Sequence, residues 1–168
     1  MKWDPEVRAA IAAVNPSIDP KLVHAIIQKE SSHGAKLVTH EPNDPKTGLP
    51  RYSYGPMMVL DTTARGDYGI ADPSTLARNP ALGILVGVKY LNSKLRAYPG
   101  DVRSAIAAYN AGSARRTKKG GPFVNQDYVN IVLGFWKQYG GAVAAGGGVL
   151  VLLVIGLLLL RSRRLRAA

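Results

Sequence analysis

The sequence predicts a mainly α-helical domain followed by one C-terminal transmembrane helix, and three observations carry that prediction. Apolar residues recur at helical spacing in segments opened by Asp-Pro, Asn-Pro, Asp or Asn and closed by Gly or Asn-Pro. Convincing apolar–polar alternation of the kind a half-buried strand needs is absent. Finally, a run of 23 uncharged residues, Gln138–Leu160, precedes Arg161-Ser162-Arg163-Arg164-Leu165-Arg166. As a helix, such a run crosses a hydrocarbon core of ~30 Å.

The elements follow in order. Asp4-Pro5 caps and starts a first helix with Val7, Ala10, Ile11 and Val14 on one face, stopped by Asn15-Pro16. Asp19-Pro20 repeats the start signal, and Leu22, Val23, Ile26 and Ile27 form the apolar stripe of a second helix with Gly34 as its stop. Residues 35–56 lose this period and collect Pro42, Pro45, Gly48, Pro50, Gly55 and Pro56. They read as a long loop, with Arg51–Tyr54 as a candidate short hairpin; a loop of that length is more often functional than accidental. Asp61 reads as a helix cap before Thr62-Thr63, and Asp67 and Asp72 as loop carboxylates. Asn79-Pro80 opens a helix carrying Ile84, Leu85, Val88, Leu91 and Leu95, closed near Pro99-Gly100. Asp101 opens the next, with Val102, Ala105, Ile106 and Tyr109 on one face and Gly112 just past its end. Asn125 begins the last, with Tyr128, Ile131, Val132 and Phe135 at one face.

The chain therefore divides into a domain over 1–139, a Gly/Ala-rich stretch over 140–148, an apolar core over 149–160 and a basic tail over 161–168. The glycine-rich stretch is either a joint or the first turns of the span, where Gly140, Ala144 and Gly148 would form a small-residue face for helix pairing. Phe135, Trp136 and Tyr139 stand where an interfacial aromatic belt belongs, and the arginines put the C-terminus on the cytoplasmic or interior side. The rival reading of the apolar run is a buried core helix, which its near-continuous Val, Ile and Leu without a polar face disfavour. The expected localisation is a single-pass membrane protein with a C-terminal anchor. Its expected partners are the bilayer, through that helix, and other copies or other membrane proteins through the span. Met1-Lys-Trp-Asp-Pro-Glu places charges where the apolar region of a signal peptide would stand, so no secretory signal is expected.

Four of the 22 Lys and Arg lie in the tail, leaving 18 against 11 carboxylates and a domain charge of +7. That balance suits an anionic partner such as cell-wall polymer or lipid headgroups. There is no cysteine, hence no disulfide framework. His24, His33 and His40, with Glu41 beside the last, match no zinc-binding spacing and read as surface or site-rim residues; neither metal nor cofactor is expected. Arg115-Arg116-Thr117-Lys118-Lys119 is a basic loop without interleaved aromatics, either solvated or touching anionic polymer, and no specific nucleic-acid partner is expected.

Glu30 is the leading chemical candidate. It falls four residues after Ile26 and three after Ile27, so a continuing helix puts its carboxyl on the buried face. Desolvation there raises a carboxyl pKa, and a Glu moved from ~4.3 towards ~6 can donate a proton near neutral pH. The alternative is a glutamate at a helix end that swings into water.

Around it stand Glu30-Ser31-Ser32, then Tyr54-Gly55-Pro56-Met57-Met58-Val59 with Thr63-Ala64, then Asn79-Pro80 with Tyr90-Leu91, then Ala108-Tyr109-Asn110-Ala111-Gly112, then Tyr128-Val129. In this order, over roughly Asp19–Tyr139, the series resembles the soluble, goose-type-lysozyme-like lytic transglycosylases. The resemblance implies a lysozyme-like helical domain that cleaves the MurNAc–GlcNAc β-1,4 bond of peptidoglycan glycan strands and leaves a 1,6-anhydro end. It makes Glu30 the single catalytic acid/base and Ser31, the serine beside it, a substrate-binding residue. Gly55-Pro56-Met57-Met58 stands where the family usually shows Gly-Leu-Met-Gln, which places Met57 and Met58 on the substrate groove. Tyr109 and Asn110 correspond to the opposite wall, and Tyr128 to an aromatic of the final helix that either meets substrate or packs. Two departures stand out: Met58 lacks the amide of the usual Gln, and Gly83 replaces a common Asn.

A single carboxyl suffices in this chemistry because the substrate's own 6-hydroxyl attacks the anomeric carbon, an intramolecular step with a large effective molarity. A hydrolytic, lysozyme-like muramidase would need a second carboxylate, for which Asp61, Asp67 and Asp72 are the nearby candidates. A non-catalytic wall-binding membrane protein is the other alternative, motivated by Met58. The absent signal peptide and the tail anchor suit a virion-associated enzyme opening the wall during phage genome entry, with a virion membrane or the bacterial envelope as the location.

Overall fold

In the computed structural model, residues 1–142 are described, so the expected span over 149–160, the basic tail and all but the start of the 140–148 stretch lie outside the described residues. The described chain runs α1 (Asp4–Val14), α2 (Pro20–Ser31), β1 (Val38–Glu41), β2 (Arg51–Tyr54), β3 (Val59–Leu60), α3 (Asp61–Tyr68), α4 (Thr75–Arg78), α5 (Pro80–Ala97), α6 (Val102–Ala111) and α7 (Gln126–Gln138). Among these residues no helix is long and apolar enough to cross a membrane. The mainly helical expectation holds, and the Asp19, Asn79 and Asp101 start signals act as read: each side chain accepts a backbone N–H in the first turn of its helix.

α2 is the central helix. Leu22, Val23, Ala25, Ile26 and Ile27 are all buried, so it is enclosed on more than the single stripe its spacing suggests. α1 covers one side and packs in turn on α5, while α7 covers another and leans on α6. His24 is thereby fully buried, contrary to the expected surface or rim position, with its Nε2 3.2 Å from Asp4 Oδ1. Asp4 is not the cap of α1 but its first residue; it serves Arg8 and His24 instead.

The long loop is more structured than its sequence suggests. β1, β2 and β3 form one antiparallel sheet in that order, with Thr39 opposite Ser53 and Glu41 opposite Arg51. β1 escaped notice because no residue of it is buried, so no apolar alternation marks it. Two further helices, α3 and α4, follow. Asp61 opens α3 from inside, its Oδ1 accepting from Thr62 N–H and its Oδ2 3.4 Å from Arg65. Asp67 lies in α3 rather than in a loop, whereas Asp72 stays in the turn before α4 and binds Ser74 and Arg78.

Gly83 and Gly87 let α5 sit directly on this region. A Cβ on Gly83 would stand 2.5 Å from the Leu76 carbonyl oxygen and 2.9 Å from Pro56 Cδ, and one on Gly87 2.5 Å from Met57. The Gly at 83 is therefore what the close approach requires.

The face of α7 is turned relative to expectation. Tyr128, Val129, Val132, Leu133 and Trp136 are buried, while Ile131 is 43% exposed. Trp136 donates from Nε1 to Asp19 Oδ2 at 2.7 Å, so it belongs to the domain core and not to an interfacial belt. The helix ends at Gln138: Gly140 takes a left-handed conformation with φ 75°, and Gly141 N–H returns to the Trp136 carbonyl. Lys21 Nζ holds the Gly140 carbonyl at 2.7 Å, which ties the start of the glycine-rich stretch to α2.

Candidate active site

The C-terminal turn of α2 opens onto a groove of about 500 Å³. Lys29 and Glu30 come from α2; Thr39, Glu41, Arg51, Ser53 and Leu60 come from the sheet, Met58 from the turn between β2 and β3, Thr63 from α3, and Tyr90, Tyr109 and Asn110 from α5 and α6. The fold makes this gap because α2 ends there. Ser32 and His33 adopt left-handed backbone and turn the chain away, and the sheet then folds back beside the helix end.

Glu30 is partly exposed toward the groove and otherwise enclosed. Burial pushes its pKa from 4.5 to about 7; the Tyr128 hydrogen bond and Lys29 pull the other way, and Glu41 adds to the rise. Tyr128 is buried in α7 and donates its hydroxyl to Glu30 Oε1 at 2.5 Å. It does not line the groove; it holds the carboxyl from behind. Lys29 Nζ lies 5.4 Å from the centre of the same tyrosine ring.

Tyr109 lines the groove but spends its hydroxyl on the Met57 carbonyl, at 2.7 Å. Its ring meets Tyr90 at 5.1 Å. Burial, reinforced by the charge of Glu30, raises the pKa of both Tyr109 and Tyr128, and burial takes Tyr90 to about 12, so all three stay protonated in the neutral range. Asn110 is exposed on the groove, and its Oδ1 accepts from Asn125 Nδ2 at 2.9 Å, which leaves its own amide N–H groups for a ligand. Asn125 also binds the Ala107 carbonyl, so it fixes Asn110 instead of capping α7.

Besides Tyr128, two more residues expected to meet substrate lie off the groove. Ser31 is buried; its hydroxyl lies 2.8 Å from the Pro56 carbonyl and 3.1 Å from that of Ile27, and it accepts Gly34 N–H. Its work is to pin the end of α2 to the Gly55-Pro56 turn. Met57 is fully buried beneath α5, where Gly87 makes room for it, and only its carbonyl reaches Tyr109. Met58 faces the groove, in a left-handed conformation with φ 46°. Both lie in the turn that joins β2 to β3, which sends the Met57 side chain into the core and that of Met58 to the groove, so the two do not share a wall.

Thr39, Glu41, Arg51, Ser53 and Tyr90 were not anticipated. The period-two spacing of Thr39/Glu41 and of Arg51/Ser53 is the signal that would have found the first four, once the two segments are known to pair. Asp61, Asp67 and Asp72 do not line the groove; Glu41 is the carboxylate that joins Glu30 there. The His24 and His33 rings meet at a 45° tilt with centres 5.9 Å apart, whereas His40 packs edge-on against Tyr52. Among the described residues no three His, Cys, Asp or Glu side chains converge on one point.

A comparison with protein families bears on this geometry: the family model described as Transglycosylase SLT domain matches residues 9–131. The matched stretch takes in every groove residue named above.

Proposed function

Because the chain belongs to the transglycosylase SLT domain family, whose members cleave glycosidic bonds in peptidoglycan, we propose that it is a membrane-anchored lytic transglycosylase with Glu30 as its single acid/base. The observation that carries the acid role is Glu30's placement: one carboxyl, its pKa raised to about 7 by burial, opening onto a groove and held by Tyr128. A group of that pKa is protonated often enough to donate and basic enough to accept near neutrality.

In this reading Glu30 protonates the bridging O4 as the C1–O4 bond of the MurNAc–GlcNAc linkage breaks. The MurNAc 6-hydroxyl then attacks C1 and gives its proton to the Glu30 carboxylate, which closes the 1,6-anhydro ring and restores the acid. Tyr109 and Asn110 bound the strand on one side and Met58 on the other. Met58 offers dispersion contact where an amide would have offered a hydrogen bond, so recognition at that point is apolar.

The membrane part of the proposal rests on the uncharged run Gln138–Leu160 and the arginines behind it. The helix stop at Gln138 favours the joint reading of the glycine-rich stretch at its first residues, with the span beginning beyond it. A virion membrane or the bacterial envelope is the proposed location, with wall opening during phage genome entry as the setting.

A zymogram of the purified protein on sacculi tests the reading. Glu30→Gln is expected to fold and to lose at least ~10²-fold of the activity, the usual scale of general acid–base catalysis. Retained activity in that variant removes Glu30 from the mechanism. Mass spectra showing reducing rather than anhydro ends would replace the transglycosylase with a hydrolase.

A further inference from the structure

The sheet wall of the groove carries an arrangement that bond cleavage itself does not use. Thr39 and Glu41 are two residues apart on β1, and Arg51 and Ser53 two apart on β2, so each pair points to one face. The register sets Thr39 across from Ser53 and Glu41 across from Arg51, and all four line the groove. Glu41 and Arg51 therefore form a directly opposed pair of opposite charges, about 7 Å along the strands from the two hydroxyls.

These opposed charges do not close on each other. The ion pairs among the described residues are Arg8–Asp4, Arg65–Asp61 and Arg78–Asp72, and the remaining contact of this kind is that of the His24 imidazole with Asp4. Arg51 Nε donates to the Pro42 carbonyl at 3.0 Å, which aims the guanidinium while leaving its terminal N–H groups uncommitted. Opposite charges on neighbouring strands normally gain by pairing. Two that stand apart in a groove, both partly exposed, are placed to take a ligand with charges of its own. The sugar rings of the glycan strand carry none. Charge on peptidoglycan resides in its peptide stems, as carboxylates and ammonium groups.

We propose that Glu41 and Arg51 form a paired-charge subsite that reads the peptide stem of the substrate, Arg51 binding a stem carboxylate and Glu41 a stem ammonium. The planar guanidinium suits two parallel hydrogen bonds to a carboxylate, a geometry lysine would not supply. This subsite rests on the transglycosylase reading. It makes the protein selective for strands that still bear peptides over strands from which they have been stripped.

The test compares the full-length protein in detergent with its Glu41→Gln and Arg51→Gln variants on two substrates. One is peptide-bearing glycan strands; the other is the same strands after an amidase has removed the stems. The quantity read is the ratio of kcat/KM on the two. Any influence of Glu41 on Glu30, or any loss of folded protein, acts on both substrates and cancels in the ratio. The expected result is a fall in that ratio of roughly 10-fold in each variant, the scale of one lost charge-assisted contact. An unchanged ratio, with wild type active on both substrates, overturns the subsite and leaves the transglycosylase reading standing. Wild-type reducing-end products that vanish in Glu41→Gln would assign Glu41 to water activation and also overturn it. Wild type inactive on both substrates sinks the transglycosylase reading, and the subsite with it.

Discussion

Replacing Glu30 by Gln changes stability as well as activity, and the change depends on pH in a way that one buried carboxyl dictates. Glu30 titrates at 4.5 in a solvated chain and at about 7 in the fold. At roughly 1.4 kcal/mol per pH unit, ionising it in place costs the folded state about 3 kcal/mol. Below pH 4.5 both states hold the proton and nothing is lost. Between 4.5 and about 7 the unfolded chain is ionised while the fold is not, so stability declines as pH rises through this window. Above it the full deficit remains. A Gln at this position never ionises, and its amide oxygen still accepts from Tyr128. Urea unfolding of both proteins from about pH 4 to about pH 8 measures the difference, and groups common to both cancel. The variant is expected to gain on wild type by about 3 kcal/mol across that range, with unchanged m-values. A difference that stays flat to within about 0.5 kcal/mol would refute the claim that Glu30 is desolvated.

Tyr128→Phe removes the donor that holds the Glu30 pKa down, so the alkaline limb of cleavage, near pH 7 in wild type, is expected to move upward; a limb that stays in place in pH–rate profiles would deny the contact its role. Burial lowers the His24 pKa below its usual 6.5, so its contribution is intact above that pH and is lost as pH falls beneath it. The unfolding free energy of wild type minus that of His24→Gln, in which Glu30 and other shared groups cancel, is accordingly expected to fall as pH drops below 6.5; a difference that stays flat with pH would count against a buried neutral imidazole. Gly87→Ala puts a methyl 2.5 Å from Met57 Cβ and Sδ, and chemical denaturation should register a loss of about 1–3 kcal/mol, whereas a neutral result would mean the Met57 side chain has room to shift.

Much of the helical frame was legible in the sequence because local rules govern it. Asp19, Asn79 and Asp101 announce three helices by the bond their own side chains make two or three residues on. Glu30's position on the buried side of α2 follows from counting along one helix. The sheet was not legible in this way. β1 buries no residue and β3 is two residues long, so neither carries a period that a reader of one segment can detect. Their identity depends on pairing with β2 across a loop.

Sequence alone determined that a carboxyl would end a buried helix, that Tyr109 and Asn110 would sit at the end of another, and that an uncharged run follows Lys137. Tertiary packing decided the rest. It turned α7 so that Tyr128 reaches Glu30 while Trp136 joins the core, since a stripe of period 3.6 can be drawn through either set of positions. It buried Ser31 and Met57 and left Met58 half-buried on the groove, and it set Glu41 against Arg51. Each of these outcomes fixes how one element is rotated or registered against another, and that freedom is removed only when the two surfaces meet.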